Sequence, residues 1–157
     1  MIMDYNLNVA NSETVAFWVE QGASRVTLSP ELSKAELQGI VGPKEKIVYG
    51  YLPVMTSSQC VLRGTASCQK DAKNKHHFEL EDRKGMTWQV QTDCKACMMQ
   101  ILSYEPLALK RGELAAQDYK WRIQLTQEDA AATKMVLRSY LEVGHPAVSG
   151  INFKSVL

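Results

Sequence analysis

Two short strand-helix units follow one another before Pro43, and that rhythm narrows the fold more than any other feature of the chain. Tyr5-Asn6-Leu7-Asn8-Val9 alternates polar and apolar as a strand does. Asn11-Ser12-Glu13 then offers a helix cap and an acidic first turn, Val15, Trp18 and Val19 share one helical face, and Gly22 supplies a stop. The pattern repeats with Arg25-Val26-Thr27-Leu28 as a strand and Ser29-Pro30-Glu31 as a turn. Ser33 with Glu36 makes a capping box for a helix expected to end near Gly42-Pro43. Consecutive units of this kind predict parallel strands joined by crossover helices.

Lys46 to Leu52 reads as a third strand, apolar enough to be buried, but no crossover helix follows it. From Thr56 to Lys75 the chain is rich in Ser, Thr, Gly, Lys and Cys and has no clear period, and irregular stretches of that length are usually functional or held by something other than a core. Phe78–Asp82 and Thr87–Gln91 flank Arg83-Lys84-Gly85-Met86 as a β-hairpin should. Beyond it, Met98–Leu102 is an apolar segment, Leu107-Ala108-Leu109 could open a short helix, and Tyr119–Leu125 alternates as a last strand. A helix starting from Thr126-Gln127-Glu128-Asp129 carries Ala132, Met135, Val136, Ser139 and Tyr140 at helical spacing and stops by Gly144-His145-Pro146. No tandem repeat or linker interrupts the 157 residues, so one domain is expected, with a Cys-rich insert and hairpin over about 56–97.

Composition excludes several classes. With 45% hydrophobic and 22% charged residues the chain is globular and not disordered. Its formal charge of +1 gives no global attraction to nucleic acid or membrane, and no DNA-binding signature is present. No apolar run approaches the roughly 18 residues that span a bilayer. The opening MIMDYNLNVANSE has neither the basic nor the apolar region of a signal peptide, so a cytoplasmic protein is expected. P-loop, GxGxxG, HExxH and GxSxG motifs are absent.

Chemistry concentrates in four cysteines. Cys60 and Cys68 lie in the irregular stretch, and Cys94-Lys95-Ala96-Cys97 follows the hairpin, which can bring the two pairs together. Soft thiolates suit an iron–sulfur cluster or Zn²⁺, and spacing alone does not separate the two. The competing reading is four small buried hydrophobes. A thioredoxin-like role fits less well, because this CxxC follows a hairpin instead of opening a helix. The basic run Lys70–His77 could touch phosphate or be only a solvated loop; His76 and His77 point to opposite faces in a strand, so at most one can ligate a metal, and His77 is also a substrate-binding candidate. Arg63 beside the cysteines and Ser29 at a strand end are further substrate-binding candidates. Glu31, Arg83 and Arg122 at strand ends or turns are the catalytic candidates. Glu31 could equally serve a helix dipole, and Asp82-Arg83 could be a hairpin ion pair.

These residues together resemble the bacterial peptidase U32 family, described as proteases or collagenase-like. The resemblance runs in order through Leu7–Ser12, Gly22–Leu32, Tyr49–Met55 with Cys60, Leu80–Gly85, and Trp121-Arg122-Ile123. It implies that the chain is the C-terminal half of a TIM-type catalytic barrel. It also implies a U32-type enzyme, either a peptidase or, as several members are understood, an iron–sulfur protein that hydroxylates an RNA base or a small aromatic. A third possibility is a non-catalytic module stapled by metal. Cys60, Cys68 and Cys94 match family cysteines, and Cys97 corresponds more loosely. Pro53 stands where many members carry a cysteine, and Asp71 where others carry one, so Cys97 could replace a missing ligand. The family offers no nucleophile to place on this chain. The expected fold is therefore α/β, a partial TIM-type (β/α) barrel of four to five strands, near residues 5, 25, 47 and 120 with one around 100. A closed barrel has eight strands in about 250 residues. Half of one leaves edges that predict self-association or pairing with the missing half in another polypeptide.

Overall fold

The computed structural model describes residues 1–65, 68, 77–114, 118–142, 144 and 146–150. In chain order the elements are β1 (Ile2–Met3), α1 (Ser12–Glu20), β2 (Arg25–Thr27), α2 (Lys34–Gly39), β3 (Lys44–Gly50), β4 (Pro53–Ser57), β5 (His77–Glu81), β6 (Thr87–Asp93), β7 (Met98–Leu102), β8 (Leu107–Ala108), α3 (Arg111–Leu114), β9 (Lys120–Ile123) and α4 (Ala130–Leu141). They divide into two compact units, Met1–Gly50 with the segment from Leu107 onward, and Tyr51–Pro106.

The first unit is α/β, as the strand-helix rhythm requires. β1, β2, β3 and β9 are parallel and neighbour one another in chain order. β8 runs antiparallel against Tyr49 and Gly50, beyond the end of β2. Met3, Val26 and Leu28 pack with Val15 and Leu37 of the two crossover helices and with Ile40 just beyond α2. Val48 packs with Val136 and Tyr140 of α4. Helix starts follow the capping residues: Asn11 accepts from the Thr14 N–H, Ser33 and Glu36 complete the reciprocal box, and Asp129 accepts from the Ala132 N–H. Gly50 adopts φ +147, and a Cβ there would stand 2.6 Å from the Gln124 carbonyl oxygen, so glycine lets β9 close against the end of β3.

Three expectations are corrected. The first strand is Ile2–Met3 and not Tyr5–Val9. Asp4 caps a 3-10 turn over Tyr5–Leu7, Asn8 at φ 49 ends it, and only Val9 bridges to Leu28. Leu107-Ala108 is a strand, because its backbone pairs with the end of β3 at Tyr49 and Gly50 before α3 begins. The segment near residue 100 is strand β7, but it belongs to the antiparallel sheet of the second unit, in the order β4-β7-β6-β5. The strands of the first unit do not close on themselves among the described residues.

That second unit holds the hairpin. Asp82 Oδ1 accepts from the N–H groups of Lys84 and Met86 and Oδ2 from Trp88 Nε1, which holds its carboxyl below the usual range. β4 and β7 join the excursion between them, so the unit begins at Tyr51 and ends at Pro106, wider than the insert expected over 56–97.

Candidate functional site

Lys44, Glu45 and Lys46 stand consecutively on β3 and all three are buried. Strand alternation sends the two lysines to the helical face, where Lys44 Nζ donates to the Ile40 carbonyl and Lys46 Nζ to the Leu32 carbonyl. Burial lowers the Lys46 ammonium to about 8, with Glu36 opposing the shift.

Glu45 faces the other way. Its carboxylate accepts from the Thr27 hydroxyl at 2.8 Å, from Arg25 Nη1 at 3.2 Å and from Arg122 Nη1 at 3.4 Å. Arg122 Nη1 also donates to Thr27 Oγ1 at 2.8 Å and pairs with Asp4 Oδ1 at 2.8 Å. Glu45 is 5% exposed, while the side chains of Arg25, Arg122 and Asp4 are 35%, 31% and 45% exposed. Two cations and one further anion therefore surround the buried carboxylate, and the four charges balance. Asp4 follows β1 and Arg122 lies on β9, three strand spacings or about 14 Å apart in a flat sheet. Their contact requires the sheet to curl around this polar face.

The carboxyl ends of β1, β2 and β9 lie beside the network, and Glu45 joins it from near the start of β3. Burial raises the Tyr5 phenol, and Asp4 adds to the rise, while a hydrogen bond from Gln124 and the Arg122 charge oppose it. Gln124 Oε1 is buried without a hydrogen-bond partner among the described residues, as are Thr126 Oγ1, Gln127 Nε2 and Glu128 Oε1 in the turn that follows. Such groups are costly to bury unpaired, and in parallel α/β sheets ligands bind at strand carboxyl ends. The chemical capacity here is recognition of a polar, multiply hydrogen-bonding group.

Of the sequence candidates, Arg122 lies at the centre of this network. Ser29 is buried at the end of β2, its Oγ accepting from the Glu31 N–H at 3.4 Å, and Glu31 is exposed. Arg83 and His77 are exposed on the hairpin of the second unit. Arg63 lines a cleft there with Gly64, Thr65, Cys68 and Cys97. The basic run from Lys70 to His76 lies outside the described residues. Sequence reasoning passed over Asp4, Tyr5, Arg25, Thr27, Glu45 and Gln124. The available clue was Lys44-Glu45-Lys46 leading into Ile47-Val48, since charges at strand spacing in a central parallel strand need buried partners.

All four cysteines are free thiols of the second unit. Cys94 and Cys97 form the turn between β6 and β7: Asp93 Oδ1 accepts from the Lys95 and Ala96 N–H groups, and Cys97 adopts φ 53. Cys94 is buried with Sγ 3.6 Å from the Thr92 hydroxyl, Cys60 is buried, and Cys68 and Cys97 share the cleft with Arg63. Four thiols are the right donors for zinc or an iron–sulfur cluster. Their arrangement does not fit such a group as it stands, because no three His, Cys, Asp or Glu side chains among the described residues are placed to hold one metal ion. No described helix is long and apolar enough to cross a membrane.

No curated protein and no solved structure matches the chain. The sequence profile described as peptidase family U32 matches residues 3–88. That segment carries β1 to β3, the Asp4, Arg25, Thr27 and Glu45 half of the polar network, and the hairpin turn, and with more than half of the chain matched, the protein belongs to peptidase family U32.

Proposed function

We propose that the protein is a U32-type enzyme, or part of one, that acts on a peptide at the carboxyl ends of β1, β2 and β9, beside Glu45 near the start of β3. The family supports hydrolysis as the reaction, and the observation that carries the location is the Arg122-centred network joining Asp4, Thr27 and Glu45. Nη1 of Arg122 makes these contacts, and a guanidinium has five N–H donors, so the rest of the group remains for a substrate carbonyl or carboxylate. In this reading the first unit is a portion of a β/α barrel. Parallel strands adjacent in chain order and a sheet curled around a polar face support that architecture.

The test is cleavage of a fluorogenic peptide library by the wild-type chain and by Arg122→Lys. Lysine keeps the charge but not the planar fork. A loss of about a hundredfold in kcat/KM at unchanged circular dichroism is expected, the scale for one removed charged hydrogen bond. Absence of cleavage by the wild-type chain would reject the peptidase reading.

The free thiols favour a second reading, in which the second unit carries a thiolate-held iron–sulfur cluster, or zinc, and the chemistry is hydroxylation of an RNA base or small aromatic. A zinc-stapled module without catalysis is the variant of this reading that needs no reaction. Cys68 and Cys97 facing one cleft support it, and Cys60 and Cys94 would have to turn toward them. Anaerobic purification is expected to give a chain with bound iron and sulfide or with stoichiometric zinc, and Cys60→Ser should lose it. A colourless, metal-free protein with four titratable thiols would reject the reading.

A further inference from the structure

We infer that Cys68 and Cys97 form a peroxide-reactive dithiol, a redox site whose two thiols close to a reversible disulfide within the cleft they share. The four free thiols of the second unit fall into two classes by exposure. Cys60 and Cys94 are buried, at 9% and 7% exposure, and Cys94 Sγ lies 3.6 Å from the Thr92 hydroxyl. Cys68 and Cys97 are half-buried, and both line one cleft with Arg63, Gly64 and Thr65. Oxidants select accessible thiols and leave buried ones inert. A metal held by all four would need Cys60 and Cys94 to turn outward, whereas a dithiol uses the sulfurs where they stand.

Local hydrogen bonds hold both segments in place. Asp93 Oδ1 accepts from the Lys95 and Ala96 N–H groups and fixes the turn between β6 and β7. Cys97 ends that turn at φ 53, a left-handed conformation that residues other than glycine seldom adopt, with Sγ 4.0 Å from the Cys94 carbonyl oxygen. In the other segment the Cys68 N–H donates to the Thr65 carbonyl at 3.1 Å. Thr65 is itself tied to the Leu62 carbonyl through its N–H at 3.0 Å and its hydroxyl at 2.8 Å. Gly64 leaves the cleft wall without a side chain, and a Cβ there would meet nothing within 4 Å, so a small reagent has room to enter.

The co-reactant is a hydroperoxide, hydrogen peroxide being the smallest. The sulfur of one thiol bonds to a peroxide oxygen as the O–O bond breaks, and the departing oxygen leaves as water with the thiol proton, giving a sulfenic acid. The second sulfur then attacks the first, the S–O bond breaks, and the hydroxyl leaves as a second water with the other thiol proton. Two thiols thus lose two electrons and one peroxide is reduced to two waters. The Arg63 guanidinium lines the same cleft and has N–H donors to hold the departing oxygen. The disulfide ties the segment beyond β4 to the β6–β7 turn, and exchange with a thiol reductant restores the dithiol.

The test takes the full chain as purified, measures bound metal, and counts thiols before and after hydrogen peroxide. The count is expected to fall from four to two, non-reducing peptide mapping to join Cys68 to Cys97, and dithiothreitol to restore all four thiols. Cys68→Ser and Cys97→Ser should each abolish the cross-link and leave a sulfenic acid that dimedone traps. Cys60→Ser should cross-link as the wild type does, although the same variant loses the metal in the cluster reading, so the two readings part on one protein. Four thiols that survive peroxide, or a disulfide that joins any other pair, would overturn the inference. So would stoichiometric metal that blocks the cross-link, and that result would favour the cluster reading. The Arg122→Lys assay reads the first unit and is independent of all these outcomes.

Discussion

Glu45→Leu is expected to destabilise the protein by about 2–3 kcal/mol, read as a lowered denaturant midpoint at unchanged m-value. The carboxylate is nearly buried and accepts from Thr27, Arg25 and Arg122, so its removal leaves two guanidinium groups and a hydroxyl without their common acceptor. Removing one partner from a fully buried pair costs about 3–5 kcal/mol, and the partial exposure of both arginines lowers that, since water screens and solvates them. Adding Arg122→Met should recover part of the loss, because an apolar pair avoids the desolvation that an unpartnered cation retains. A Glu45→Leu effect below about 0.5 kcal/mol, the range of ordinary surface changes, would show that the network does not stabilise the sheet.

Lys46→Met is expected to raise stability at neutral pH by about 2–3 kcal/mol and to remove a pH dependence from the wild-type chain. The Lys46 ammonium falls to about 8 in the folded state from 10.5, chiefly through burial. Between those two values the unfolded chain binds the proton and the folded chain does not, so wild-type stability rises as pH climbs from about 8 to 10.5. Below about 8 the folded protein bears the full cost of the buried charge. Tyr140 has the opposite effect at higher pH. Its hydroxyl lies 2.9 Å from the carbonyls of Val48 and Leu109, and burial raises it to about 12, so stability falls from about 10 to 12 as the unfolded phenol ionises first. Denaturation midpoints of wild type and Lys46→Met across this range check the sign. A wild-type curve that falls between pH 8 and 10 would reject the buried-lysine account.

The residues that could be read from the sequence and those that could not differ in the range of their interactions. Asn11, Ser33 with Glu36, and Asp129 cap their helices through hydrogen bonds to backbone three residues away, so a short window of sequence contains the whole interaction. The Asp82 turn is equally local. Arg122 could be marked as a strand-end candidate, but its contacts to Thr27 and Glu45 span 95 and 77 residues, and no local pattern shows them. Leu107-Ala108 went astray for the same reason: two residues become a strand only because Tyr49 and Gly50 lie beside them.

By itself, then, the sequence determined the alternation of strand and helix up to Pro43, the hairpin around Gly85, the last helix and the family, because each follows from periodicity, capping chemistry or ordered motifs carried within short stretches. Only the tertiary structure decided that β9 pairs with β3, that the strand near residue 100 belongs to a separate antiparallel sheet, and that Glu45 is the buried acceptor of the polar network. Those outcomes depend on register and burial between distant segments. A buried charge is tolerable only where its partners converge, and the fold alone brings them there.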